Sequence, residues 1–93
     1  MYATIRRYDG VTDPAEAGRR VNEGFVPQLN EMPGFVEYYV DAGGGMMASI
    51  SVFEDRVGAE GSTDRAADWV QENIAELLPN PPEVTTGEVV ASG

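Results

Sequence analysis

Residues 40–55 read VDAGGGMMASISVFED, and this stretch decides the fold. Three consecutive glycines inside it separate two apolar segments. Glycine adopts positive φ without steric cost, so these glycines allow an antiparallel strand pair to reverse direction. A phosphate-binding loop would instead lead its glycines into the N-terminus of a helix. The stretch therefore predicts a β-hairpin with strands at 35–40 and 46–53 and a loop at 41–45.

A first helix is predicted after residue 13 by three agreeing signals. Asp13 can cap free backbone amides, Pro14 suits the first helical position, and Glu16 occupies the capping-box position. We expect Pro27 to kink or end this helix, because proline removes a hydrogen bond and crowds the preceding turn. The sequence Met-Pro-Gly at 32–34 should stop it outright.

A second helix has two possible starts. Asp55 can cap it, but glycines weaken its first turns, which leaves Ser62 or Thr63 as the alternative start. Pro79 should end it. Its apolar stripe contains Thr63, Ala66, Ala67, Val70, Ile74 and Leu77.

A first strand at Tyr2–Tyr8 and a last strand at 84–91 complete a β-α-β-β-α-β order, which is the ferredoxin-like arrangement. We expect an α+β fold with both helices on one face of a four-stranded antiparallel sheet, formed by residues 1–93 as a single domain. The strands carry large apolar groups on both faces, and exposed apolar surface costs about 25 cal/mol per Å². A second copy of the chain is therefore expected to cover the helix-free face, which predicts a homodimer.

Composition excludes several classes of function. A net charge of −10, from sixteen carboxylates against six arginines, repels nucleic acid and anionic membranes. The chain contains no histidine, cysteine or lysine, so an imidazole base, a thiol nucleophile and a Schiff base are unavailable to it. No carboxylate spacing matches a calcium loop, and we expect no metal site. The N-terminal residues do not resemble a signal peptide, so a cytoplasmic location is expected.

The chain resembles the antibiotic biosynthesis monooxygenase domain of the dimeric α/β-barrel superfamily. The resemblance covers nearly the whole chain and depends on the strand and helix order, MPGF at 32–35, SISVFED at 49–55 and Trp69 in the second helix. It implies that two sheets face each other as a barrel with the helices outside. Members include cofactor-free oxygenases of aromatic polyketides and haem-degrading enzymes. Haem degradation would be expected to use a histidine ligand, which this chain lacks.

The resemblance makes Trp69 and Asn73 the candidate catalytic residues. Oxygenases of this family often pair the helix-two tryptophan with an asparagine one turn earlier, but that position holds Arg65 here, and Asn73 lies one turn later. With Val70 central on the helix, Trp69 falls near the edge of the buried stripe, where a large residue can also simply shield the core.

Cofactor-free oxygenation suits a site without a strong base. An electron-rich phenol or hydroquinone can ionise and give an electron to O₂, while the protein supplies orientation, hydrogen bonds and a pocket that excludes water. Arg6 and Arg7 are candidates to hold an anionic substrate group, although paired arginines on strands commonly form salt bridges. The candidate substrate-binding residues are Gln28, Tyr38, Tyr39, Tyr8 and Arg65. Since Tyr38 and Tyr39 are adjacent on a strand, they should point to opposite faces.

The leading hypothesis is therefore a cofactor-independent monooxygenase of a small aromatic, polyketide-like substrate. One alternative is a non-catalytic dimeric barrel that binds a hydrophobic ligand. Another is a cyclase or isomerase that uses Glu37 or Asp68 as its base, which would require burial of that carboxylate.

Overall fold

A computed structural model describes residues 1–92 and shows one four-stranded sheet with helices packed on one face. The strand order β2-β3-β1-β4, with every neighbouring pair antiparallel, is that of the ferredoxin-like fold and confirms the predicted fold class. The strands are β1 (Tyr2–Tyr8), β2 (Phe35–Gly43), β3 (Met46–Phe53) and β4 (Glu83–Glu88). The helices are α1 (Pro14–Arg20), α2 (Val26–Asn30) and α3 (Arg56–Asn73), with a π-helical segment (Val21–Phe25) between α1 and α2.

The hairpin is tighter than the sequence predicts. Gly44 and Gly45 alone form the turn, with φ of 61° and 79°, and β2 runs on to Gly43. A two-residue hairpin whose central residues both have positive φ matches the twist of the flanking strands, so it displaces the expected five-residue loop. The last strand is shorter than expected, because its pairing with β1 ends at Glu88.

The first helix begins as predicted but does not end at Pro27. The Asp13 carboxylate accepts a hydrogen bond of 3.2 Å from the Glu16 amide. Pro27 does not end the helix, since the chain stays helical to Asn30. The regular α-helix is interrupted just before Pro27, between Val21 and Phe25. The wider turn of the π segment, where the Val26 amide bonds to the carbonyl of Val21, comes directly before this proline and accommodates it.

The second helix uses the earlier of its two possible starts. Asp55 caps it, accepting a hydrogen bond of 2.8 Å from the Gly58 amide, so the alternative start at Ser62 or Thr63 is wrong. This cap contributes roughly 1 kcal/mol and offsets the cost of the glycines that follow it. The buried side of α3 differs from the predicted stripe, and it consists of Ala59, Ser62, Ala66 and Trp69.

The two faces of the sheet differ in what covers them. Thr4, Arg6 and Tyr8 of β1 point under the helices and are buried. On the opposite face, Ile5 is 43% exposed and Tyr39 is 57% exposed. Within residues 1–92, no helix is long and apolar enough to cross a membrane.

Candidate functional site

A small cavity, here called the inner cavity, lies between the sheet and the helices. It holds about 20 Å³, which is enough for one water-sized molecule. Most of its wall is apolar, with Phe25 and Trp69 as the large aromatic members. Its polar side chains come from three strands, and they are Arg6, Tyr8, Tyr38 and Ser49.

Arg6 is the unusual member of this set, because it is a buried cation without a counterion. Its side chain is only 2% exposed. Nη1 donates a long hydrogen bond of 3.4 Å to Thr63 Oγ1, and Nη2 is buried without a partner. Among residues 1–92, no carboxylate forms an ion pair with Arg6. Buried charges in proteins are ordinarily paired, so this arrangement points to a partner that the chain itself does not supply.

Ser49 carries the second unpartnered atom in the inner cavity. Its Oγ is buried and has no partner in hydrogen-bond geometry. In the β1–β3 register Ser49 lies directly opposite Arg6, so both side chains are on the face under the helices. Arg6 Nη2 and Ser49 Oγ therefore lie side by side without a partner in hydrogen-bond geometry, and the hydroxyls of Tyr8 and Tyr38 face the same cavity.

Tyr8 and Tyr38 bring two phenol groups to the same cavity. Burial raises the pKa of the Tyr8 hydroxyl, and the positive charge of Arg6 offsets part of that rise. The pKa of Tyr38 is raised for the same reason and is opposed by the same charge. Both hydroxyls therefore stay protonated at neutral pH and can donate hydrogen bonds.

A larger groove opens beside the inner cavity, with a volume of about 370 Å³. Its walls come from α3, through Thr63 and Gln71, and from the proline-rich loop at 79–82. Asn80 fixes that loop by donating a hydrogen bond of 3.1 Å to the carbonyl of Asp9. The groove and the inner cavity share four lining residues, which are Arg6, Tyr8, Val70 and Leu78.

Trp69 forms part of the wall of the inner cavity, on the buried side of α3. It is 8% exposed, and its ring centroid lies 5.6 Å from that of Phe25. Phe25 in turn meets Tyr38 edge to face at 5.8 Å. Gly24 allows this packing, because a Cβ atom there would lie 2.9 Å from Cζ2 of the indole. The buried side of α3 is rotated away from Val70, and Trp69 also lines an outer groove, so it lies at the boundary between the buried and the exposed sides of the helix.

The structure brings Tyr8, Tyr38 and Trp69 together at the inner cavity. Gln28 and Arg65 line a separate outer groove with Trp69, where Arg65 Nη1 donates a long hydrogen bond of 3.5 Å to Gln28 Oε1. Asn73 is exposed, and its Nδ2 donates a hydrogen bond of 2.9 Å to the Trp69 carbonyl near the end of α3. The remaining residues line neither the inner cavity nor the groove. Gln28 and Arg65 lie on the outer side of Trp69, Tyr39 lies on the helix-free face, and Glu37 and Asp68 are exposed.

Arg6 and Ser49 hold the unpartnered polar atoms of the inner cavity. The candidate catalytic residues predicted from the sequence are instead Trp69 and Asn73. The sequence does indicate that Arg6 shares a face with Tyr8, because side chains two residues apart on a strand point to the same side. Arg7, on the other face, makes the salt bridge expected of a strand arginine, at 3.6 Å from Asp9. Nothing in the sequence distinguishes Ser49 from any other inward serine.

Comparison with known proteins identifies relatives of the fold. No family model matches the sequence, and no curated protein is significantly similar to it. A monooxygenase from the gene ActVA-Orf6 of Streptomyces coelicolor, solved with the ligand nanaomycin D, superposes with a TM-score of 0.71 and 18% identity over 98% of this chain and 92% of that one. A mutant of SnoaB, a cofactor-independent oxygenase from Streptomyces nogalater, superposes with a TM-score of 0.72 and 15% identity over 98% of this chain and 94% of that one.

A third structure, an antibiotic biosynthesis monooxygenase, gives a TM-score of 0.71 and 14% identity over 98% of this chain and 100% of that one. This chain has the same ferredoxin-like fold as these monooxygenases. Proteins of unknown function share that fold as well, among them NE2512 from Nitrosomonas europaea. This fold is therefore compatible with more than one activity, and the function has to be argued from the residues of the inner cavity and the groove.

Proposed function

We propose that this protein binds a small aromatic substrate through an ionised hydroxyl group and oxygenates it without a cofactor. The observation that carries the proposal is the buried guanidinium of Arg6, which has an unpartnered Nη2 and no carboxylate partner among residues 1–92. A phenolate ligand supplies the missing negative charge. Two unit charges 4 Å apart attract by about 4 kcal/mol at an effective dielectric constant near 20, so Arg6 would strongly favour the ionised form of a bound hydroxyl.

The groove supports an aromatic ligand by its size and its walls. Its volume of about 370 Å³ lies within the roughly 300–1,000 Å³ range of small-molecule pockets. Val70, Leu78 and Pro79 offer apolar surface for a flat ring system. Arg6 and Tyr8 line the groove as well as the inner cavity, so a hydroxyl at one end of the ligand can meet both.

The proposed reaction needs no strong base, because ionisation at Arg6 makes the ring electron-rich. An anthrone-type substrate loses a proton to solvent, transfers an electron to O₂ and then forms a carbon–oxygen bond. The resulting peroxide takes up a proton and loses water, so that a CH₂ group and O₂ yield a carbonyl group and H₂O. The substrate supplies all of the electrons, and the protein supplies orientation and charge stabilisation.

We also propose a homodimer in which the helix-free faces of two sheets pack together. Tyr39, Ile50 and Ile5 form a continuous row across three strands of that face in the β1–β3 and β2–β3 registers. Ile5 and Tyr39 expose about half of their surface, which is costly in water and is removed from it in a dimer.

Non-catalytic ligand binding is the second candidate, because the inner cavity and the groove would bind an aromatic anion whether or not it reacts. Among residues 1–92, the cavity and groove linings include no carboxylate that could act as a base. Glu37 and Asp68 are exposed and outside both spaces, so the cyclase or isomerase alternative has no support from their positions.

An oxygen electrode tests the proposed function. Protein freed of metal by chelation is mixed with an anthrone-type substrate, and O₂ consumption is compared with that in buffer. Wild-type protein and Arg7→Met should consume O₂ faster than buffer, whereas Arg6→Met should not. Binding of the substrate with O₂ consumption equal to buffer would overturn the oxygenase proposal and favour the non-catalytic one.

A further inference from the structure

The inner cavity has room for one small molecule and lies next to the groove. Its volume of about 20 Å³ excludes an aromatic ring, which the groove can hold. Arg6, Tyr8, Val70 and Leu78 line both spaces, so an occupant of the inner cavity would lie beside a ring bound in the groove. We infer that the inner cavity binds dioxygen, an inference that rests on the proposed oxygenase function.

The wall of the inner cavity suits an uncharged, apolar diatomic molecule. Phe25, Trp69 and Ile74 are buried apolar members of that wall, and other apolar side chains complete it. Apolar solutes move favourably from water into such surroundings. The four polar side chains of the cavity all come from the strands, so the wall formed by the helices is apolar apart from the indole nitrogen of Trp69.

The polar wall formed by the strands has a role once an electron is transferred. The bound aromatic anion is oxidised to a radical, and O₂ is reduced to superoxide, which carries a negative charge. Ser49 Oγ is a buried donor without a partner, so it can donate a hydrogen bond to superoxide without first breaking another one. The positive charge of Arg6, which pairs with the substrate hydroxyl, lies directly opposite Ser49 on the neighbouring strand and adds electrostatic stabilisation. The two radicals then combine to form the carbon–oxygen bond, and protonation with loss of water gives the carbonyl product.

Paramagnetic NMR can locate dioxygen in the protein without any substrate. Dissolved O₂ shifts and broadens the methyl signals that it contacts. Ile74 and Leu29 are both fully buried at 0% exposure, but only Ile74 lines the inner cavity. Raising the O₂ pressure, with nitrogen at equal pressure as the reference, should shift the Ile74 methyl signals several-fold more than those of Leu29. Equal shifts for the two residues would overturn the inference.

Two neighbouring substitutions separate the inner cavity from the groove. Ala66 lines the cavity and Ala67 lines the groove, so Ala66→Leu fills the first space and Ala67→Leu obstructs the second. Ala66→Leu should abolish the O₂-dependent shift of Ile74 and raise the KM for O₂ at least several-fold, with ligand affinity within about two-fold of wild type. Ala67→Leu should weaken ligand binding and keep the shift.

The outcomes distinguish the two proposals. An unchanged KM for O₂ in a folded Ala66→Leu protein that has lost the Ile74 shift would overturn the role of the cavity in the reaction. If Ala66→Leu does not fold, the comparison of Ile74 with Leu29 in the wild type still decides whether dioxygen binds. A wild-type protein that shows the Ile74 shift but never consumes O₂ with aromatic substrates would refute the oxygenase function and leave dioxygen binding intact.

Discussion

Arg6 and Ser49 lie directly opposite each other on β1 and β3, and each holds a buried polar atom that has no hydrogen-bond partner. Side chains in such a cross-strand pair have Cβ atoms about 4.5–5.5 Å apart. An unsatisfied buried polar group costs roughly 1–3 kcal/mol. Two of them on the wall of one cavity are the basis of the proposed ligand site.

Removing the Arg6 charge should stabilise the protein while it destroys the site. Arg6→Met keeps a long side chain but removes the unpaired guanidinium. We expect the free energy of unfolding to rise by about 1–3 kcal/mol, because the desolvation cost of that group disappears. Urea denaturation followed by circular dichroism measures the change.

Arg7→Met is the matched control for this experiment. Arg7 is half-exposed on the opposite face and makes only a long salt bridge to Asp9. Exposed pairs of this kind contribute roughly 0–1 kcal/mol, so a small loss of stability is expected. A destabilised Arg6→Met protein would show that the arginine has a structural role, contrary to the proposed function.

Alkaline pH should destabilise the protein through its buried tyrosines. The folded-state pKa values of Tyr8 and Tyr38 are raised above the ordinary 10.0 by burial. Their contribution to stability is therefore complete below pH 10 and is lost as the pH rises through the raised values. A titration of tyrosinate absorbance should show a late phase that Tyr38→Phe diminishes. A late phase of undiminished size in Tyr38→Phe would contradict the burial of this phenol.

Two glycines of the first helix should respond in opposite ways to alanine. A Cβ atom at Gly18 meets nothing within 4 Å, so Gly18→Ala should stabilise the protein by about 0.5–1 kcal/mol through helix propensity. Gly24→Ala puts a Cβ atom against the ring of Trp69 and should cost roughly 1–3 kcal/mol. Thermal melts measure both, and the fluorescence of Trp69, the chain's single tryptophan, should change only in Gly24→Ala. Similar behaviour of the two variants would rule out close packing of Gly24 on the indole.

The helix-free face should control the state of association. We expect light scattering at micromolar concentration to give twice the 10.0 kDa mass of one chain. Ile5→Glu puts a charge in the middle of the face and should produce monomers. Val57→Glu, at an exposed position on α3, is the control and should leave the mass unchanged. A wild-type mass of 10.0 kDa would refute the proposed dimer.

The fold was largely predictable because local signals agree with the tertiary structure. Asp13 caps the first helix as expected, and the bounds of β1 and β3 match the sequence prediction. The π segment before Pro27 was not predictable, since its wider turn depends on packing that no local pattern encodes. The predicted apolar stripe of α3 was centred on Val70, because the larger apolar residues of the helix lie around it. The observed buried side consists mainly of alanine and serine, which a hydrophobic pattern does not pick out.

The candidate site was predictable only in part. Strand alternation correctly separates Tyr38 from Tyr39, which lie on opposite faces. Arg6 is important because no carboxylate among residues 1–92 pairs with it. A sequence that contains sixteen carboxylates does not reveal that this arginine lacks one as a partner. Catalytic roles for Trp69 and Asn73 stay predictions.

The acidity of a bound aromatic hydroxyl tests the central claim most directly. A hydroxyanthraquinone changes colour when its hydroxyl ionises, so its pKa can be measured free in solution and bound to the protein. The buried, unpaired charge of Arg6 should lower the pKa of the bound hydroxyl below that of the free dye, and Arg6→Met should remove this shift while Arg7→Met keeps it. A bound pKa equal to or above that of the free dye in the wild-type protein would contradict the account.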